Sequence, residues 1–170
     1  MEETPPLSKL HKLNSTWTLW AHLPHDIDWS IQSYKKITDL NYVEDTVILM
    51  ESLPIKMIKN CMLFLMRKDI MPMWEDVNNK EGGSFSYKVS NKNISKTWCN
   101  LCYILVGEQL AKTSAVQNTI TGITISPKKN FCVIKIWLSK CDKQDPNIIN
   151  SIVENIQPQG CLFKRHNPKY

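Results

Sequence analysis

Hydrophobic and polar residues alternate in several short stretches of the chain, and such alternation predicts β-strands. In residues 15–23, the apolar side chains of Trp17, Leu19 and Ala21 would share one face of a strand. Similar alternation, or a short continuous apolar run, predicts further strands at 61–66, 84–90, 120–126, 131–139 and 161–164. The third and fourth of these flank Pro-Lys-Lys-Asn at 127–130, which predicts a hairpin.

Three other stretches carry apolar residues at helical spacing, next to capping signals. Asn41 and Glu44 have the spacing of a capping box at the start of a helix over 43–52. A second helix is predicted over 95–106, ending at Gly107. The third would begin after Asp145-Pro146 and bury Ile149, Ile152, Val153 and Ile156. Strand pairs joined by short connections and separated by single helices predict an α+β fold, an antiparallel sheet with helices on one face.

The chain has 170 residues, of which 42% are hydrophobic and 22% charged, as in one globular domain. We expect residues 1–10 to form a flexible N-terminal tail and residues 11–170 to form a single domain. No apolar run approaches membrane-spanning length, and the N-terminus lacks the apolar stretch of a secretory signal, so a cytoplasmic location is expected. In such a reducing compartment the six cysteines are expected to be buried, inert thiols.

The familiar catalytic and nucleotide-binding motifs are absent from the sequence. It contains no phosphate-binding loop, no dinucleotide-binding glycine pattern, no zinc-protease helix and no nucleophile elbow. His22 and His25 are interpreted as polar loop residues rather than metal ligands. The sequence therefore favours a binding protein over an enzyme, without cofactor or metal.

Six tryptophans in 170 residues are the clearest chemical clue. Trp17, Trp20 and Trp98 fit a structural role, whereas Trp29 and Trp74 lie in polar segments. Each of the latter two could cap the core from a loop. Together, beside Glu75, they could instead form a slot for a flat, positively charged heterocycle, because indole faces attract delocalised cations. A carboxylate can also accept two parallel N–H bonds from a guanine edge.

Strand parity places a third tryptophan with basic residues. Within 131–139, Trp137 falls on the same face as Lys135, away from the helix-packed core. Lys128 and Lys129 lie in the adjoining turn. Lysines near an aromatic slot suit a phosphate-bearing ligand, although such a turn is also typical of a solvated hairpin tip.

The order and spacing of these motifs resemble the eukaryotic translation initiation factor 4E family, the messenger-RNA cap-binding proteins. The resemblance runs from about residue 11 to residue 164. The segments that carry it are 11–20, 43–45, 72–76 with the double glycine 82–83, Trp98 with 106–108, and 122–137. It implies a curved antiparallel sheet backed by three helices, with a cap-binding slot on the concave face.

The resemblance also implies roles for individual residues. Trp29 and Trp74 would sandwich the 7-methylguanine, Glu75 would bind its N1 and N2 hydrogens, and Trp137 would contact the N7-methyl group. Lys128 stands where the family has a basic phosphate ligand. Two other family phosphate ligands are replaced, by Ser84 and Val133. The expected phosphate-binding residues are therefore Lys128, Lys129, Lys135, Lys164 and Arg165.

The convex surface departs from the family pattern where the resemblance implies a scaffold or repressor partner. The implied partner surface comprises His11, Val43, Val47, Cys99, Asn100 and Tyr103. Val47 replaces a family tryptophan, and the second-helix positions do not match. We expect weak or no binding to the common scaffold motif, and a dedicated scaffold-type partner instead.

Three functions remain open at this point. The first is a monomeric cap-binding initiation factor, the second a cap-binding decoy or translational repressor, and the third an interaction module without cap affinity.

Nineteen lysines against two arginines, with abundant Ile and Asn, indicate an AT-rich genome and favour a viral source.

Overall fold

The core of the structure is one curved sheet of seven strands, seen in a computed structural model that describes residue 6 and residues 9–168. The strands are β1 (Lys12–His22), β2 (Tyr34–Tyr42), β3 (Met62–Arg67), β4 (Gly83–Ser90), β5 (Ile120–Pro127), β6 (Phe131–Leu138) and β7 (Leu162–Arg165). Their order across the sheet is β2-β1-β3-β5-β6-β4-β7, and every neighbouring pair is antiparallel. The α+β prediction is confirmed. Residues 1–5, 7 and 8 of the predicted tail lie outside the described residues.

Four α-helices accompany the sheet, two of them short. They are α1 (Val43–Ser52), α2 (Ile55–Asn60), α3 (Ile94–Val106) and α4 (Ser114–Gln117). Single 3₁₀ turns occupy Ile31–Ser33 and Pro146–Ile148. The predicted helices at 43–52 and 95–106 are confirmed to within one residue, whereas α2, α4 and the strand β2 were not predicted.

The two faces of the sheet have different surroundings, as strand alternation requires. Leu19, Leu65 and Ile136 point to the helices, where they form the main core with Trp98 of α3. Trp17 and Trp98 are fully buried, as predicted. The concave face carries a second apolar cluster around Phe64, Met66 and Trp137, with Trp20 packed against it.

The helix predicted after Asp145-Pro146 is wrong beyond its first turn. Asp145 does accept a hydrogen bond from the Asn147 N–H, at 2.9 Å, but the chain then turns to meet the 109–111 segment. Ile149 forms an isolated bridge with Ala111, and the Asn150 side chain donates to the carbonyls of Gln109 and Ala111. These long-range bonds replace the backbone bonds of a helix, so the apolar spacing misled the prediction.

The predicted capping box of α1 uses a different carboxylate. Asp45 Oδ2 accepts the backbone N–H groups of Asn41 and Tyr42, at 2.8 and 2.9 Å. The Glu44 carboxylate instead accepts the backbone N–H of His11 and contacts the His11 ring. The carboxylate that satisfies the open N–H groups is therefore one position later than predicted.

The cysteines divide into two groups. Cys102 and Cys132 are buried as predicted, and burial raises the pKa of each thiol. The other four, Cys61, Cys99, Cys141 and Cys161, are only partly buried. Among the described residues, no three His, Cys, Asp or Glu side chains are grouped to hold a metal ion. Within the same part of the chain, no helix has the length and apolar character needed to cross a membrane.

Candidate functional site

A cavity of about 570 Å³ opens on the concave face and collects most of the predicted site residues. Trp29, Trp74, Glu75 and Trp137 all line it. Lys128, Lys135 and Lys164 line it as well. Side chains from two loops, from the turn after β5 and from strands β2 to β7 thus meet around one space.

Two of the predicted phosphate ligands do not line this cavity. Arg165 follows Lys164 in β7, and alternation sends adjacent side chains to opposite faces, so the structure brings only Lys164 to the cavity. Lys129 is exposed in the turn between β5 and β6. The basic residues that line the cavity are therefore three lysines: Lys128, Lys135 and Lys164.

The Trp74 loop is held by buried polar side chains. Asn79 is fully buried, and its amide donates to the carbonyls of Met71 and Met73, both at 3.0 Å. Asn79 Oδ1 accepts the hydroxyl of Thr121 at 2.8 Å. Asp76 adds a bond from the Met71 N–H at 2.8 Å. These bonds satisfy the backbone of a loop that has no regular structure, so Trp74 is presented from a fixed support.

The double glycine after this loop has a steric cause. A Cβ at position 82 would overlap the carbonyl oxygen of Leu138, at the end of β6. At position 83 it would come within 2.7 Å of the Lys164 carbonyl in β7. Only glycine lets β4 enter the sheet between these two strands.

An arc of aromatic rings connects the two loop tryptophans across the concave face. Trp29 meets Tyr34 edge-on at 6.4 Å, Tyr34 meets Phe64 at 5.5 Å, and Phe64 meets Trp137 at 6.5 Å. His166 continues the arc, 4.9 Å from Trp137 and 5.7 Å from Trp74. The floor of the cavity is therefore aromatic, which suits a flat ligand.

Four residues near this arc were missed by sequence reasoning: His22, Tyr34, Phe64 and His166. Tyr34 belongs to the unpredicted strand β2, and Phe64 was part of an apolar run without a visible polar face. His166 lies beyond the last predicted strand. The interpretation of His22 as a polar loop residue is wrong, because His22 is the last residue of β1 and is buried. Alternation within 15–23 puts His22 on the same face as Trp20, and that was the one available signal.

His166 is buried behind Trp74 with a defined protonation state. Its Nδ1 lies 2.7 Å from the Asn79 carbonyl, which only accepts, so Nδ1 carries the hydrogen. Its Nε2 then accepts the Ser84 hydroxyl at 2.6 Å. Burial lowers the pKa of His166, with the charge of Lys135 adding to the shift. A neutral imidazole thus occupies the space between Trp74, Trp137 and Ser84.

The cavity carries charges of both signs. Burial lowers the pKa of Lys135, and the neighbouring charges of Lys128 and Lys164 lower it further. The Lys135 ammonium lies 6.0 Å from the Trp74 ring centroid. Burial and the charge of Glu75 raise the pKa of Tyr34 to about 12, so its phenol keeps its proton. A ligand with an anionic group and a hydrogen-bonding edge would match these charges.

The predicted partner surface lies across α1, α3 and the start of the chain. His11 and Glu44 form a pair with Nδ1 and Oε1 2.6 Å apart, and hydrogen bonding from His11 lowers the pKa of Glu44. Helices α1 and α3 pack together, and they carry Val43, which is 43% exposed, and Tyr103, which is 37% exposed. Val47 and Cys99 are partly buried, and Asn100 is exposed. The role of these residues as a partner surface stays a prediction.

The family model for eukaryotic initiation factor 4E matches residues 12–168. Initiation factor 4E-2 of Schizosaccharomyces pombe is 30% identical over 146 residues, covering 81% of this chain and 57% of its own length. The factor of Eremothecium gossypii is also 30% identical over 146 residues, covering 80% of this chain and 65% of its own. The chain therefore spans less than two thirds of the length of these relatives.

Solved structures with the same fold are also known. Caenorhabditis elegans eIF4E-3, in a complex with the 4E-binding protein Mextli and a cap analogue, superposes with a TM-score of 0.70 at 24% identity, covering 78% of this chain and 76% of that one. Ascaris suum eIF4E-3, in a complex with an m7G cap, gives a TM-score of 0.68 at 25% identity, over 79% of this chain and 76% of that one.

Proposed function

The chain belongs to the eukaryotic initiation factor 4E family, and from that premise we propose that it binds the 7-methylguanosine cap of messenger RNA and promotes translation initiation. One observation carries the proposal: Trp29, Trp74, Glu75 and Trp137 line a single cavity together with three lysines. The methylated base would stack between Trp29 and Trp74, with its N1 and N2 hydrogens on Glu75. Trp137 would contact the N7-methyl group.

The charges that line the cavity support this assignment. A base held by Glu75 would leave its triphosphate to Lys128, Lys135 and Lys164, which line the same cavity. N7-methylation makes the base a cation, and delocalised cations stack more strongly on indole than neutral rings do. The slot would therefore prefer methylated over unmethylated guanine nucleotides. In this proposal the protein is a monomeric binding protein of the cytoplasm rather than an enzyme.

The first experiment compares tryptophan fluorescence quenching by 7-methyl-GTP and by GTP. We expect much tighter binding of the methylated nucleotide, and equal binding of both would contradict the proposal. Trp74→Ala and Glu75→Gln should each cost at least about 1–3 kcal/mol of cap affinity, through lost stacking or a lost bidentate pair. Glu81→Gln is the matched control, since it removes one exposed carboxylate that does not line the cavity.

A second candidate function is a cap-binding decoy or repressor, which the partner surface favours. Val47, Cys99, Asn100 and Tyr103 stand at the positions where the family pattern has its scaffold contacts. A dedicated partner would need anchors that fit this altered surface. An affinity pull-down that recovers a scaffold-type initiation protein would support the first function. Retention on a cap column without such a protein would support the second.

A further inference from the structure

His22 lies at the end of β1 and packs directly against Trp29. Its ring is nearly parallel to the indole, with an interplanar angle of 6° and centroids 3.8 Å apart. The side chain is buried, with an exposed fraction of 3%, whereas Trp29 is 51% exposed. The indole is thus open on one side and covered by an imidazole on the other.

The covered side faces away from the cavity. Trp29 is among the residues that line the cavity, and His22 is not. His22 Nε2 lies 2.7 Å from the Asp28 carbonyl oxygen, which only accepts, so Nε2 carries a hydrogen. Tyr34 contacts both rings edge-on, at 5.5 Å from His22 and 6.4 Å from Trp29. His22 therefore covers one face of the Trp29 indole, and the opposite face would meet the ligand.

Trp29 has little other support from its own segment. Residues 23–30 form no helix or strand, and the next regular element is the 3₁₀ turn Ile31–Ser33. The bonds within this segment are local, such as the Ser30 amide and hydroxyl donating to the Asp28 carboxylate. A ring that holds Trp29 in place before the ligand arrives reduces the ordering cost of binding.

We propose that His22 is a positioning residue for the Trp29 wall of the slot: its stacked ring holds the indole in the orientation in which the other face can receive a flat base. The inference rests on the proposed cap-binding function. The role belongs to any flat ring at this position, since two parallel stacked rings fix the plane of the indole. A side chain without a ring would leave the indole to be ordered by the ligand, and that ordering would cost part of the binding free energy.

The test measures 7-methyl-GTP binding by calorimetry for the wild type, His22→Phe and His22→Ala. His22→Ala should bind about five- to tenfold more weakly, and His22→Phe should bind like the wild type because it keeps a flat ring. Rescue by Phe separates ring stacking from the hydrogen bond that His22 makes to the Asp28 carbonyl, because a phenyl ring has no donor.

The matched control is His25→Asn, which removes an exposed imidazole from the same loop. His25 has a φ of 65°, a conformation that Asn tolerates, so this variant should keep the wild-type affinity. The thermal midpoint of each variant verifies folding. Equal affinity of His22→Ala and wild type would overturn the positioning role. An equal loss of affinity in His22→Phe and His22→Ala would overturn it as well. If the wild type fails to prefer 7-methyl-GTP over GTP, the proposed function itself fails, and the two failures are distinguishable.

Discussion

The two tryptophan walls of the slot are built in different ways. Trp74 stands on a loop whose carbonyls are bonded to the buried Asn79 amide, and His166 packs behind its ring. Trp29 stands on an irregular segment whose bonds are mostly local, and its ring contacts are the stacked His22 and the edge of Tyr34. The first wall is tied to the protein interior by buried hydrogen bonds, whereas the second depends mainly on ring contacts.

The largest expected effect comes from removing the support of the Trp74 wall. Asn79→Ala removes the side-chain hydrogen bonds to the carbonyls of Met71 and Met73 and the acceptor of the Thr121 hydroxyl, so we expect about 2–4 kcal/mol of lost stability, with cap affinity reduced as well. Urea unfolding and cap titration measure the two losses. Asn78→Ala is the control, because Asn78 is exposed and bonds only to Asp76. Similar losses in both variants would mean that the wall does not depend on the buried amide.

A smaller effect is expected at the rim near Trp74. Lys135→Met keeps the apolar stem and removes the ammonium that lies 6.0 Å from the Trp74 ring. We expect about fivefold to tenfold weaker binding of 7-methyl-GTP and little change for the 7-methylguanosine nucleoside, because a lysine is attracted to phosphate rather than to the base. The ratio of the two affinities is the measurement. Lys96→Met on α3 provides the control, and an equal loss for nucleotide and nucleoside would assign Lys135 to the base instead.

The smallest effect concerns the acid sensitivity of the Trp74 wall. Burial lowers the pKa of His166, so below about pH 6.5 the unfolded chain takes up a proton that the folded protein does not. Stability should therefore fall as the pH decreases from about 6.5 toward the lower folded-state pKa of His166. His166→Gln should flatten that part of the stability curve in urea unfolding at several pH values. The same slope in wild type and variant would show that His166 binds its proton equally in both states.

The strands were predictable where one face is buried and the other is polar. β1, β4 and β6 show such alternation, and their predicted bounds agree with the structure within a few residues. β2 was missed because it lies at the edge of the sheet, where only Leu40 is buried and the apolar pattern is weak. The segment after Asp145 was predicted as a helix because local spacing does not reveal its bonds to residues 109–111.

The site was predictable only in part, for a related reason. Tryptophans in polar segments beside a carboxylate are unusual in a sequence, so Trp29, Trp74 and Glu75 could be singled out. Tyr34, Phe64 and His166 have no such local signal, since each belongs to a different strand or strand end. They meet only because the sheet order brings β2, β3 and the end of β7 around one cavity.

The sequence alone thus determined the α+β class, the buried faces of most strands and the residues with unusual chemistry. These properties depend on the spacing of polar and apolar side chains along short stretches of the chain, and that spacing is visible without the three-dimensional structure. The stack of His22 on Trp29, the His166 support of Trp74 and the selection of Lys164 over Arg165 arose from the tertiary structure. Each depends on which strands become neighbours and which way a side chain faces there, and contacts between distant segments set both.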